Sequence, residues 1–119
     1  MTVRRIMPDF QVESENEMRA SRDFYGLLGF REAMDMGWIV TLASPANPTA
    51  QISFFTEERT APVVPDLSVE VEDVDAVYAQ VVASGAEVVR ELRDEEWGVR
   101  RFFVRDPNGK VVNVLTHRS

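Results

Sequence analysis

The sequence contains no cysteine. Disulfides, thiolate nucleophiles and zinc sites built on cysteine are excluded, and a cytoplasmic location is the expectation. Basic residues are in the minority, 13 Lys and Arg against 20 Asp and Glu, for a net charge of −7. That balance argues against nucleic acid or an anionic membrane as a main partner. No apolar run approaches the roughly 20 residues that span a bilayer, and no basic-then-apolar leader opens the sequence. Histidine occurs once, as His117, and reads as a solvated residue near the end of the sequence rather than as a ligand. What remains is 119 residues, 45% apolar and 28% charged, an ordinary globular composition with enough chain for one domain and its core.

The most informative pattern is an internal echo. Val12-Glu13-Ser14 returns as Val71-Glu72-Asp73, and Trp38 returns as Trp97, each 59 residues later. In the first copy, alternation places Ile6, Pro8, Phe10 and Val12 on one face of a strand and Met7, Asp9 and Gln11 on the other. Ser14 with Glu17 is a capping box, opening a helix that carries Met18, Ser21, Tyr25 and Leu28 and stops at Gly29. Strands follow over Phe30–Met36, Trp38–Ala43 and Gln51–Phe55. In the second copy, Asp66–Val71 alternates, Asp73 caps a helix carrying Val74, Val77, Tyr78 and Val81, and Gly85 ends it. Glu87–Leu92 is a strand. Val99–Arg105 and Lys110–Thr116 form a hairpin about Asp106-Pro107-Asn108-Gly109, the residues of a type I turn.

The expected fold is therefore α+β, with two tandem βαβββ modules in a curved mixed sheet around a cleft and helices on the outer face. It forms a single domain: module 1 over about 3–55, a linker over 56–65 and module 2 over about 66–117.

Four segments resemble the vicinal oxygen chelate superfamily, which includes glyoxalase I, extradiol dioxygenases, fosfomycin-resistance enzymes and bleomycin-resistance proteins. They are Asp23-Phe24-Tyr25-Gly26-Leu27-Leu28-Gly29-Phe30, Val71-Glu72-Asp73-Val74-Asp75, Trp97-Gly98-Val99-Arg100, and Phe103 through Lys110 with its Arg105-Asp106-Pro107-Asn108-Gly109 turn. The resemblance implies four strand positions from which metal-using members draw His, Glu or Gln ligands. Here those positions hold Met7, Ser53 (or Gln51), Asp66 and Asn113. That set is poor in strong donors, so the resemblance points toward metal-free, bleomycin-resistance-like members, with no metal and no cofactor expected.

Alternation gives the cleft-facing residues. The ligand-binding candidates are Met7, Asp9, Gln51, Ser53, Asp66, Glu70, Trp97, Arg101, Phe103 and Asn113, a mixture of apolar and convergent polar groups suited to a small-molecule pocket. Packing is the competing account for each, and it is preferred for Trp38. Trp97 is the candidate for stacking on a planar ligand. Asp9, Asp66 and Glu70 are weak candidates for catalysis: if two lay close together and desolvated, one would have a raised pKa and serve as a base. The simpler expectation is that each pairs with an arginine such as Arg101 or stays in water. Arg100-Arg101 suits a bidentate anion contact but more often salt-bridges, and Asp94-Glu95-Glu96 reads as a solvated loop.

The favoured function is metal-independent binding of a small, planar or aromatic molecule by a homodimer. The alternatives are a lyase, isomerase or dioxygenase using a displaced metal or carboxylate acid–base chemistry, and a scaffold or regulatory protein without a ligand.

Overall fold

A computed structural model describes residues 2–118. The elements run β1 (Val3–Gln11), α1 (Glu15–Leu27), β2 (Arg31–Asp35), β3 (Ile39–Ala43), β4 (Gln51–Phe55), β5 (Leu67–Val71), α2 (Val74–Ala83), β6 (Val88–Asp94), β7 (Val99–Arg105) and β8 (Val111–His117). The βαβββ order occurs twice, and the fold is of the α+β class.

The local signals act as expected. The Ser14 hydroxyl accepts from the Glu17 N–H at 3.1 Å, and Asp73 accepts from the Ala76 N–H at 3.1 Å. Glu17 closes its half of the box one residue further back, on the Glu13 N–H. Both helices end against a glycine in the left-handed region, Gly29 at φ 111° and Gly85 at φ 81°, where a side chain is strained.

The chain divides into two compact units, Met7–Val64 and a second that joins the N-terminal residues through Ile6 to Pro65 onward. In Met7–Val64 the strand order is β2-β3-β4-β1, with β1 and β4 parallel and β3 antiparallel to β4. Helix α1 lies over one face, where Met18, Val40, Leu42, Ile52 and Phe54 form the core with Val12, Tyr25 and Phe30 at its edge. Tyr25 packs against Phe54 and Phe30 at ring-centroid distances of 5.4 and 6.1 Å. Phe10, by contrast, stays 45% exposed despite its contact with Phe54, and Leu28, expected at the helical stripe, is 63% exposed just past the end of α1.

In the other unit the order is β5-β8-β7-β6, with β5 and β8 parallel and β7 antiparallel to both of its neighbours. Helix α2 covers Val71, Val74, Phe102 and Val114, and Tyr78 meets the Phe102 ring edge-on at 4.9 Å. The Thr2 carbonyl accepts from the Glu72 N–H at 3.0 Å, which ties the start of the chain to the end of β5.

Candidate functional site

In each unit the strands alternate, so the residues between the core positions point to the face that the unit's helix does not cover. That second face is also buried. In Met7–Val64 it carries Met7, Asp9, Ile39, Thr41, Ser53 and Phe55, all buried. The β1–β4 register sets Asp9 beside Ser53, and the Ser53 hydroxyl lies 2.8 Å from that of Thr41 on β3. Trp38 is 5% exposed with Phe55 at 6.0 Å, in keeping with a packing role. Gln51 is half-buried and spends its amide on the loop before it, donating to the Pro48 carbonyl at 2.8 Å. Beside α1 an open depression of about 470 Å³ is lined by Glu13, Glu17, Ala20, Ser21, Phe24 and Tyr25.

The second unit repeats the pairing. Ser68 stands beside Asn113, and the Asn113 Nδ2 donates to the Ser68 hydroxyl at 3.0 Å while its Oδ1, also buried, has no hydrogen-bond partner among the described residues. One strand over, Phe103 lies opposite Asn113, and the Arg101 guanidinium sits between two rings, 4.9 Å from the centroid of Phe103 and 5.0 Å from that of Trp97. Arg101 is 1% exposed, so its charge needs a buried counter-ion. Glu95 supplies it, with Oε1 3.2 Å from Arg101 Nε and 2.7 Å from an Arg90 Nη. Burial alone pushes the Glu95 carboxyl up, but the hydrogen bond from Arg90 and the nearby Arg101 charge outweigh it and hold the pKa below the ordinary carboxylate value.

One expectation changes here. Asp94-Glu95-Glu96 is not simply a solvated loop: Glu95 turns inward because two arginines on β6 and β7 would otherwise be buried without a counter-charge. His117 stays exposed, as expected, but it has a partner. It closes β8, with Nδ1 2.9 Å from Glu70 Oε2, while Glu70 Oε1 takes the Arg5 Nε–H. Glu70 pairs with an arginine, the simpler expectation, and its carboxyl pKa is not raised. Burial pushes it up, but the His117 hydrogen bond and the charges of Arg5 and His117 bring it below the ordinary value. Arg100, the other half of the arginine pair, bonds Asp75 at 2.8 Å and Asp94 at 3.1 Å at the surface.

The structure brings Ser68, Trp97, Arg101, Phe103 and Asn113 onto one face of one unit, and Met7, Asp9 and Ser53 onto one face of the other. Asp66 is exposed and accepts from the Val111 N–H at 2.8 Å, fixing the start of β5 to β8. It stands four residues from Glu70, about 13 Å along a strand. Glu95, Arg90, Arg5 and Thr41 were not among the sequence candidates. Thr41 follows from alternation with Ile39, whereas nothing local marks Glu95 or Arg5.

Residues 14–114 match a model of the Glyoxalase/Bleomycin resistance protein/Dioxygenase superfamily. The chain belongs to that superfamily. No match was found among curated proteins. Among solved structures it is similar to a glyoxalase/bleomycin resistance protein/dioxygenase superfamily member from Vibrio splendidus 12B01 (17% identity, 97% of this chain and 99% of that one, TM-score 0.67). It is also similar to methylmalonyl-CoA epimerase from Mycobacterium tuberculosis (18%, 98% and 88%, TM-score 0.65). A third similar structure is that of NAD-dependent benzaldehyde dehydrogenase from Legionella pneumophila (14%, 95% and 99%, TM-score 0.72). At these identities the likeness is one of fold.

Metal-using members of such folds need several strong donors, and the residues present do not fit that need. Ser53 is bonded to Thr41, Asn113 to Ser68, and Met7 offers a buried thioether. Of the four positions only Asp66 carries charge. Among the described residues no three His, Cys, Asp or Glu side chains gather to hold an ion.

Proposed function

We propose that the protein binds a small planar or aromatic molecule on the helix-free face of its strands, and does so without a metal. One observation carries the reading: the half-buried Trp97 ring, backed by the buried Arg101 and Phe103, lies beside the buried Ser68–Asn113 pair, an aromatic face next to hydrogen-bonding groups. Planar π-systems stack on indole, phenyl and guanidinium alike. A homodimer belongs to the same reading, supported by the exposed Phe24, Leu27 and Leu28 of α1 and its end, and sedimentation equilibrium measures it. A cytoplasmic location does too, and is checked by cell fractionation.

Two experiments test the reading. Titration of 2-naphthol into a Trp38→Phe variant, followed by Trp97 emission, should quench and saturate, with decahydro-2-naphthol inert. Trp97→Ala, followed by calorimetry, should weaken binding about tenfold, the loss of one stacking contact of about 1.4 kcal/mol. Equal binding of the saturated alcohol, or none of either, sinks the proposal. For the metal, chelator-stripped protein should melt at the same temperature with and without Ni²⁺, Zn²⁺ or Mn²⁺. A clear rise contradicts it, because an ion bound to the native state must stabilise it.

A further inference from the structure

The single histidine lies on the same face as Asn113 and Leu115, at the end of β8 opposite Val99 of β7. Its Nδ1 is 2.9 Å from Glu70 Oε2. The Glu70 side chain is 13% exposed and His117 53%, so a held carboxylate orients a ring that solvent and small molecules reach. Glu70 is itself fixed, because Arg5, reaching from β1 and 16% exposed, takes its other oxygen. A carboxylate at Nδ1 selects the tautomer with the proton there, which leaves the Nε2 lone pair as the acceptor. Arg5 Nη2 lies 3.5 Å from each ring nitrogen. The combination of a held carboxylate and an oriented, half-exposed imidazole is the geometry of a positioned base.

We propose that His117, held by Glu70, is a general base that takes a proton from an acidic C–H of a planar carbon acid on this face. The C–H bond breaks, the proton goes to Nε2, and the electron pair stays on the substrate, where it delocalises or expels a leaving group. The resulting imidazolium is stabilised by Glu70 and returns its proton to water, so no co-reactant is needed. This goes beyond binding, and rests on the preceding reading only for the place where a planar ligand lies.

Two measurements test it with the intact chain. First, one histidine gives one pair of imidazole ¹⁵N resonances, so the tautomer is read directly. The neutral ring should carry its proton on Nδ1 in the wild type and revert in Glu70→Gln to the Nε2–H form that free histidine prefers. An Nε2–H wild type overturns the proposal. Second, 5-nitro-1,2-benzisoxazole is a planar carbon acid whose ring opens on loss of its C3 proton, the N–O bond breaking to give a coloured phenolate. The wild type should turn it over with saturation. His117→Gln should lose about a hundredfold, the low end of what a positioned base contributes, and Glu70→Gln about tenfold with the histidine retained. Turnover unchanged in Glu70→Gln, with circular dichroism confirming a folded variant, marks an ordinary exposed histidine and overturns the proposal. If 2-naphthol binds but the benzisoxazole is not turned over, the base fails while the binding reading stands.

Discussion

Glu95 shows how much a single side chain carries. It neutralises two arginines, one of them almost fully buried, so Glu95→Gln should destabilise the protein by about 3–5 kcal/mol, the expected result of removing one member of a buried pair. Urea unfolding measures it, and a change below about 1 kcal/mol, within the range of surface pairs, contradicts the buried role. The acid response follows from the same geometry. Glu95 and Glu70 both have folded pKa values below the ordinary value, which is about 4.3. A depressed carboxylate stabilises the fold fully above its unfolded pKa, and that contribution disappears as pH falls through the folded value. Melting temperature should therefore be flat from pH 7 to about 5 and drop below about 4, with a shallower drop in Glu70→Gln. The candidates Asp9, Ser53, Arg101, Phe103 and Asn113 were legible because alternation along a strand fixes which side chains share a face. Glu95 was not, because its position is set by arginines on strands that only folding brings near it.

The helices and turns were legible in detail, since caps and glycine stops act within a few residues. Ser14→Ala and Asp73→Ala should each cost about 1 kcal/mol by losing the hydrogen bond to a first-turn N–H, a difference that thermal unfolding resolves. The β7–β8 turn is held by Asp106, whose carboxylate accepts from the Asn108 and Lys110 N–H groups at 2.8 and 2.9 Å, with Gly109 at φ 84°. Gly109→Ala should cost about 1–2 kcal/mol, because a Cβ in the left-handed region meets its own backbone rather than any neighbour. Phe102, 0% exposed beneath α2, should cost about 3–5 kcal/mol as Phe102→Ala. Strand ends were less well defined. β6 runs to Asp94 rather than Leu92, its pairing with β7 interrupted between Val88 and Arg90 and again before Arg93. Such irregularities depend on the partner strand, which no local pattern encodes.

For the molecule as a whole, the repeat survives as structure: Asp9 beside Ser53 in one unit and Ser68 beside Asn113 in the other. The N-terminal residues through Ile6, however, group with the later unit. Deleting residues 1–6 should expose the Glu72 amide, whose acceptor is the Thr2 carbonyl, to hydrogen exchange while leaving β3 and β4 protected. Equal protection of Glu72 contradicts that anchoring. The sequence by itself determined the α+β class, the doubled βαβββ order, the superfamily and the alternation along the strands, because periodicity, caps and turns are properties of neighbouring residues. Only the tertiary structure decided which charges meet. Arg5, Glu70 and His117 come from positions 65 and 47 residues apart, and Glu95 enters the interior only because Arg90 and Arg101 are there to receive it. Those partnerships exist because desolvated charge must be paired, and the chain finds the pairs only after distant strands have closed into a sheet.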